Sequence, residues 1–240
     1  MEALRRFILE QWYNPGFVGL WVNPFFHARR ELFRSINRFG SKIEGRVLDV
    51  GCGSKPYQAL FAASEYVGLE IDTPDNRLRK QADVFYSGDV FPFPAQNFDS
   101  VVCSQVLEHI FSPEKFLGEI FRVMRPGASM LLTVPFVWDE HEQPNDFARY
   151  SSFGIRYLLE KAGFQVFEQA KINADVRVLF QLANAYLYKV FWTRHSILNL
   201  FVCVAFMAPF NILGALFYRL LPSNPDLFLD NVVLARKPQR

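Results

Sequence analysis

The hydrophobic pattern changes period several times along the chain. Between Arg46 and Lys171, short apolar runs alternate with longer amphipathic stretches. The runs Arg46–Val50, Tyr66–Ile71, Ala82–Gly88, Phe98–Ser104, Ser129–Val134 and Phe164–Lys171 read as strands, the third a short edge strand. Pro56–Ala62, Pro113–Val123 and Ser152–Ala162 read as helices. The second stops before Pro126-Gly127 and the third at Gly163, a residue suited to the position just past a helix. Thr73-Pro-Asp-Asn76 reads as a turn. Alternation of this kind predicts a parallel sheet with helices on both faces.

The flanks differ. Residues 1–42 read as helices interrupted at Asn14-Pro15-Gly16 and Asn23-Pro24, forming an N-terminal helical cover. Within it Phe25–Phe39 is amphipathic and basic, with Arg29, Arg30, Arg34 and Arg38 set among Phe33, Ile36 and Phe39. That helix suits either a cover on one sheet face or an active-site lid with a membrane-facing basic side. Residues 173–226 form an apolar helical insertion, and Ile197–Tyr218 holds 22 residues without a charge. Length and polarity alone would make it a transmembrane helix. It lies between two strands of one sheet, so both flanks must return to one side of any membrane. Pro209 and Asn211 fall near its middle, where a proline breaks or kinks a helix. A hairpin dipping into one leaflet meets both constraints, and a packing or homodimer surface is the alternative.

Composition adds limits. At 240 residues the chain accommodates one α/β domain with an appendage. Cys52, Cys103 and Cys203 have no paired spacing, which argues against a disulfide framework or zinc site and favours a reducing cytoplasm. A net charge of +2 does not call for nucleic acid. Charged residues among the apolar positions of the N-terminus (Arg5, Arg6, Glu10) argue against a secretory signal. The location expected is cytoplasmic, peripheral or monotopic at the inner membrane face.

The chemistry begins at Val47-Leu-Asp-Val-Gly-Cys-Gly53, an apolar strand ending in a glycine turn. Nineteen residues after Gly51, a second strand delivers Glu70, placed to hold a ribose diol in a Rossmann-type crevice. A dinucleotide site wants a third small residue where the chain has Pro56, which lacks a backbone donor. Asp49 beside the turn repels phosphate and attracts an ammonium group. The ligand implied carries a ribose and a cation but no pyrophosphate, a description that S-adenosylmethionine fits.

The chain resembles class I S-adenosylmethionine-dependent methyltransferases of the type 11 group. The likeness spans about Ile43–Lys171 and a last strand near Asp230–Lys237. It rests on Asp49-Val-Gly-Cys-Gly53, Gly68-Leu-Glu70, Gly88-Asp-Val-Phe-Pro-Phe-Pro94, Phe98-Asp-Ser-Val-Val102, Val106-Leu-Glu-His109 and Arg122-Val-Met-Arg-Pro-Gly127. Lys55 departs from the pattern, standing where many members have glycine. The resemblance implies a doubly wound, Rossmann-like seven-stranded sheet over residues 43–172 and 227–240, with the last strand between the fifth and sixth. It implies cofactor contacts from Asp49, Gly51, Cys52, Gly53, Glu70, Ile71, Asp89, Val90 and Gln105, with Asp89 accepting from the adenine amino group.

Val134–Tyr150 is the distinctive segment, with six ionisable side chains in Asp139–Arg149. His141 suits a base near neutral pH, Glu142 or Asp146 would orient it, and Arg149 suits a carboxylate or phosphate. His109 is a further candidate for proton transfer, or a shaper of the cofactor pocket. His141 and Asp146 lack a clear third ligand, so no metal is expected. The segment resembles a signature of methyltransferases from polysaccharide and glycolipid gene neighbourhoods, which implies a lipid-linked or glycan-type acceptor at a membrane surface. A quinone or small aromatic hydroxyl is the alternative acceptor. A non-catalytic cofactor-binding membrane scaffold or partner subunit is the alternative class.

Overall fold

The computed structural model describes residues 2–239, except the side chains of residues 2–6, 8 and 79. The chain forms two units. One comprises Met1–Arg34, Val137–Asp139 and Lys171–Asp230; the other comprises Ser35–Phe136, Glu140–Ala170 and Asn231–Arg240.

The second unit is built on a seven-stranded sheet in the order β3-β2-β1-β4-β5-β7-β6. Its strands are β1 (Glu44–Val50), β2 (Ala62–Ile71), β3 (Val84–Tyr86), β4 (Phe98–Ser104), β5 (Met124–Pro135), β6 (Gln165–Ile172) and β7 (Asp230–Arg236). β1 lies centrally, parallel to β2 through Val47↔Tyr66 and to β4 through Val47↔Ser100. Central parallel strands are covered on both faces, which explains why Val47, Leu48, Val101, Val102, Leu131 and Leu132 are all buried. Phe116, Leu117, Ile120 and Val123 of helix Pro113–Val123, and Ile155 and Leu159 of helix Ser152–Lys161, are buried as well, at the three- and four-residue spacings of one helix face. The doubly wound fold is as the sequence implies, with β7 seated between β5 and β6.

Two local expectations fail. Pro56–Ala62 is not a helix; only Gln58–Leu60 forms a 3₁₀ turn. Pairing of Glu44 with Ala62 starts β2 four residues earlier than its apolar run, so sheet hydrogen bonding takes residues that a helix would need. Thr73–Asn76 is not an isolated turn but the start of helix Pro74–Arg79. The Thr73 hydroxyl accepts from Asn76 N–H at 3.1 Å and Pro74 occupies the first turn, where its missing N–H costs nothing.

The other unit is helical. Its elements are α1 (Glu2–Tyr13), α2 (Gly19–Val22), the first half of α3 (Phe26–Gly40), α7 (Arg177–Phe191), α8 (Ser196–Val202) and α9 (Ala208–Phe217), with α4 to α6 being the three helices of the sheet unit. Ser196–Phe217 is one helical stretch, long and apolar enough by length and composition to cross a membrane. Pro209 does not split it. A π-helical turn at Cys203–Met207 precedes the proline, which falls in the first turn of α9.

Buried amides hold these helices together. Asn211 Nδ2 donates to the Leu20 and Asn23 carbonyls, both at 3.0 Å, and its Oδ1 accepts from Asn184 at 2.9 Å. Gln181 donates to the Pro24 carbonyl and accepts from Ala28 N–H. Replacing Asn211 by leucine removes a hydrogen bond from each of the Leu20 and Asn23 carbonyls and from the Asn184 amide, which keeps only the Met207 carbonyl, at a cost of about 3 kcal/mol. Urea denaturation should show a lower midpoint for this variant. An unchanged midpoint would show that the amide network carries no stability.

Candidate active site

The site lies at the carboxyl ends of β1, β2, β4 and β5, where open α/β sheets bind ligands. Gly51 has φ +70°, and a Cβ there would stand 2.3 Å from the Val106 side chain. The turn after β1 and the loop after β4 can meet only because that methyl is missing. Gly68 does the same on β2, where a Cβ would meet Lys55 at 2.5 Å and the Cys52 sulfur at 2.7 Å. Lys55 adopts φ +53°, so the position where relatives carry glycine keeps the glycine conformation. Its ammonium pairs with Asp83, which also accepts from Gly68 N–H.

The expected cofactor residues are brought together in part by direct contact. Glu70 is buried and accepts from Gly53 N–H at 3.2 Å, joining the glycine turn to the end of β2. Ile71 and Val90 are exposed apolar residues, and the nearest atom to a Cβ at Gly88 would be Ile71 Cδ1. Asp89 is exposed beside them. Gln105 has φ +57° and is held by Thr133, through its N–H to the carbonyl at 2.9 Å and its amide to the hydroxyl at 3.2 Å.

Two supports escaped sequence reading because they join distant segments. Asp49 is buried and accepts from the Tyr66 hydroxyl at 2.7 Å. Burial raises its pKa to about 7, against the smaller opposing effects of Tyr66 and Lys55. Arg122 donates to the carbonyls of Phe91 and Phe93, while its partner Glu119 accepts from Phe91 N–H. The pair clamps the loop that follows Asp89; alternation of Glu and Arg at i,i+3 on a helix was its one faint signal.

The loop after β5 folds against the loop after β4. The Glu108 carbonyl accepts from Phe147 and Ala148 N–H at 2.8 and 3.2 Å. His109 and His141 rings meet edge to face with centroids 4.8 Å apart. His109 Nδ1 lies 2.7 Å from the Asn145 carbonyl, which only accepts, so Nδ1 carries the proton. Burial lowers the His109 pKa, and its neutral form keeps a lone pair on Nε2, 3.8 Å from the buried Glu108. Asp146 takes the orienting place beside His141, with Oδ2 3.3 Å from Nδ1 and 2.8 Å from the backbone nitrogen. Arg149 grips Asp146 with two 2.6 Å hydrogen bonds, and this pairing holds the Asp146 carboxyl well below the usual range. Glu142 is exposed at φ +51°. One donor atom from each of Glu108, His109 and His141 falls within 4.8 Å of the others, a spacing that a metal ion can use. This trio differs from the His141–Asp146 pair considered from sequence.

Residues 25–169 match the methyltransferase domain family. The chain belongs to that family. The domain is a class I S-adenosylmethionine-dependent methyltransferase domain, and S-adenosylmethionine is its cofactor. A Mycolicibacterium smegmatis protein called a "probable S-adenosylmethionine-dependent methyltransferase" is 31% identical over 162 residues, covering 62% of each chain. The chain thus spans less than two thirds of that relative's length. A fatty-acid O-methyltransferase of the same organism is 36% identical over 147 residues, covering 56% of this chain and 49% of that one. The fold is similar to that of phosphoethanolamine N-methyltransferase 2 of Haemonchus contortus, solved with S-adenosyl-L-methionine. That likeness has a TM-score of 0.56 at 18% identity, covering 97% of this chain and 60% of the other.

Two outcomes are expected. Gly51→Ala should cost about 2–4 kcal/mol in chemical denaturation, from left-handed strain and overlap with Val106. Adding Val106→Ala should recover part of this, and equal stabilities of the two variants would refute the packing argument. Asp49 gives a pH signature. Its folded pKa of about 7 lies above the ordinary 3.8, so its contribution to stability is fully present below the lower value and is lost as pH rises through the upper. In the role expected for Asp49 from the sequence, holding an ammonium group takes the ionised form, and that role predicts an affinity climbing between about pH 6 and pH 8. In Asp49→Asn both trends should flatten, as read by melting curves and calorimetry with S-adenosylhomocysteine.

Proposed function

We propose that the protein transfers the methyl group of S-adenosylmethionine to a lipid-linked or glycan-type acceptor at a membrane surface. The observation that carries the reading is the contact of His109 with His141 at the same sheet edge as the Gly53–Glu70 pair. Asp49 would meet the cofactor ammonium, Glu70 the ribose diol, and Asp89, Ile71 and Val90 the adenine. The sulfonium methyl is already activated, so transfer is an in-line displacement that needs alignment above all. Alignment of nucleophile and methyl supplies about 7–11 kcal/mol of such a barrier.

An acceptor hydroxyl must also lose a proton. His141, oriented by Asp146, is the base in this reading, and neutral His109 stands beside it to relay the proton. Arg149 is engaged with Asp146, so it acts by positioning the loop and not as a free anion clamp.

Two features support a lipid acceptor. The Asp139–Tyr150 loop resembles a signature of methyltransferases from polysaccharide and glycolipid gene neighbourhoods, and one relative's name gives a fatty acid as its substrate. The helical unit also exposes Phe17, Trp21, Ile197, Leu200, Phe201 and Phe206, with Ile197 87% and Phe201 60% accessible. Burying such side chains contributes about 1.5–3 kcal/mol each, so a few entering lipid would hold the protein at a bilayer.

The test is a single-turnover assay with labelled methyl donor and separate lipid, glycan and phenol or quinone fractions. Label should enter the lipid or glycan fraction, and His141→Gln should slow transfer by about 100-fold or more without weakening S-adenosylhomocysteine binding. Label confined to the phenol or quinone fraction would overturn the acceptor class. Cofactor binding with no transfer to any fraction would leave the scaffold reading.

A further inference from the structure

We infer that the helical unit carries a binding pocket for a phosphate-bearing group, formed by Arg30, Arg34, Arg177 and Arg219. These four guanidinium groups, with Glu31 as the one carboxylate, line a cavity of about 340 Å³. The cavity is far larger than the ~30 Å³ share of one water, so it has room for an organic phosphate or a diphosphate. The inference deepens the membrane reading by naming the polar group that would meet this unit, and it stands apart from methyl transfer.

Charge balance within the pocket is uneven. Arg34 and Arg177 both reach Glu31 Oε1, at 2.8 and 3.2 Å, and Arg177 also holds Asp175 at 2.7 Å. Two cations therefore face two carboxylates. Arg30 and Arg219 meet no carboxylate among the described residues. They rest on aromatic faces instead, Arg30 5.3 Å from the Phe26 ring centre and Arg219 5.4 Å from that of Tyr218. Stacking orients a guanidinium without neutralising it, leaving two forks open to one cavity.

Neighbouring groups agree. Burial and then Arg34 lower the Arg30 pKa, against smaller opposing effects of Glu31 and Tyr218. His27 is buried and held near a pKa of about 4 by burial and Arg177, so it adds no charge at neutral pH. Two uncompensated guanidiniums match a dianion, and guanidinium forks bind phosphate oxygens bidentately. Part of the lining is apolar. Phe17, Leu20 and Ala215 border the cavity, and Phe17 is 75% exposed. A phosphate with an acyl or prenyl tail satisfies both surfaces.

The experiment compares wild type, Arg30→Gln/Arg219→Gln, and a control, Arg156→Gln/Lys161→Gln, which loses the same charge from the sheet unit. All three are checked for equal melting temperature. Each is floated with phosphatidylcholine vesicles with and without phosphatidic acid, and titrated with pyrophosphate by calorimetry. Wild type and control should prefer the phosphatidic acid vesicles, and the pocket variant should bind them at least tenfold more weakly. If only pyrophosphate separates the variants, the pocket stands with a soluble phosphate as its ligand and the lipid-headgroup assignment falls. If all three float alike and bind pyrophosphate alike, the pocket is refuted, while flotation itself would still support the membrane reading.

Discussion

The cofactor edge depends on a steric constraint: there is no room for a methyl group between the end of β1 and Val106. Gly51 meets this constraint, and its positive φ turns the chain back toward β2. From there Gly53 N–H reaches Glu70, and a second bare backbone, Gly68, lets Cys52 and Lys55 pack across the strand. Loops that close this tightly hold a carboxylate and a set of backbone donors in fixed relation before any ligand arrives. Preorganisation of that kind is what a displacement reaction asks of its protein. The acid Asp49 is kept there at a cost, because burial opposes its charge more strongly than Tyr66 and Lys55 favour it.

Sequence reading succeeded where one element's own residues decide its structure. β4 and helix Pro113–Val123 have the boundaries that their apolar spacing and flanking prolines indicate. Gly163 ends the next helix at φ +95°. It failed where a neighbour decides. Ala62 and the residues after it were claimed by pairing with β1, a long-range fact invisible in local composition. Thr73 was the opposite case: its capping hydroxyl and Pro74 were a legible helix start that the turn vocabulary of Pro-Asp-Asn obscured.

The site divides along the same line. The glycine turn and Glu70, picked out by glycine and acidic spacing, meet in the structure, whereas the side chains that support them were not legible. Tyr66 reaches Asp49 across a strand pair, and Arg122 reaches Phe91 and Phe93 from 29 or more residues away. The histidine pair is intermediate. Both members stood out as chemical residues, but their rings are brought together by main-chain bonds from Phe147 and Ala148 to Glu108 and by the bond from His109 to the Asn145 carbonyl.

The π-turn at Cys203–Met207 acts as a phase corrector. Asn199 and Asn211 are both buried, yet twelve α-helical residues would set them about 120° apart around the axis. One residue absorbed by a wider turn reduces the offset to about 20°, so one helix can keep both amides on its inner side. Leu200, Phe201, Val204 and Phe206 between them are thereby turned outward, while Val202, Cys203, Met207 and Ala208 stay inside. A sequence hydrophobic enough to be lost in a bilayer is in this way given a definite inside and outside, and the side that faces away from the protein is the greasier one.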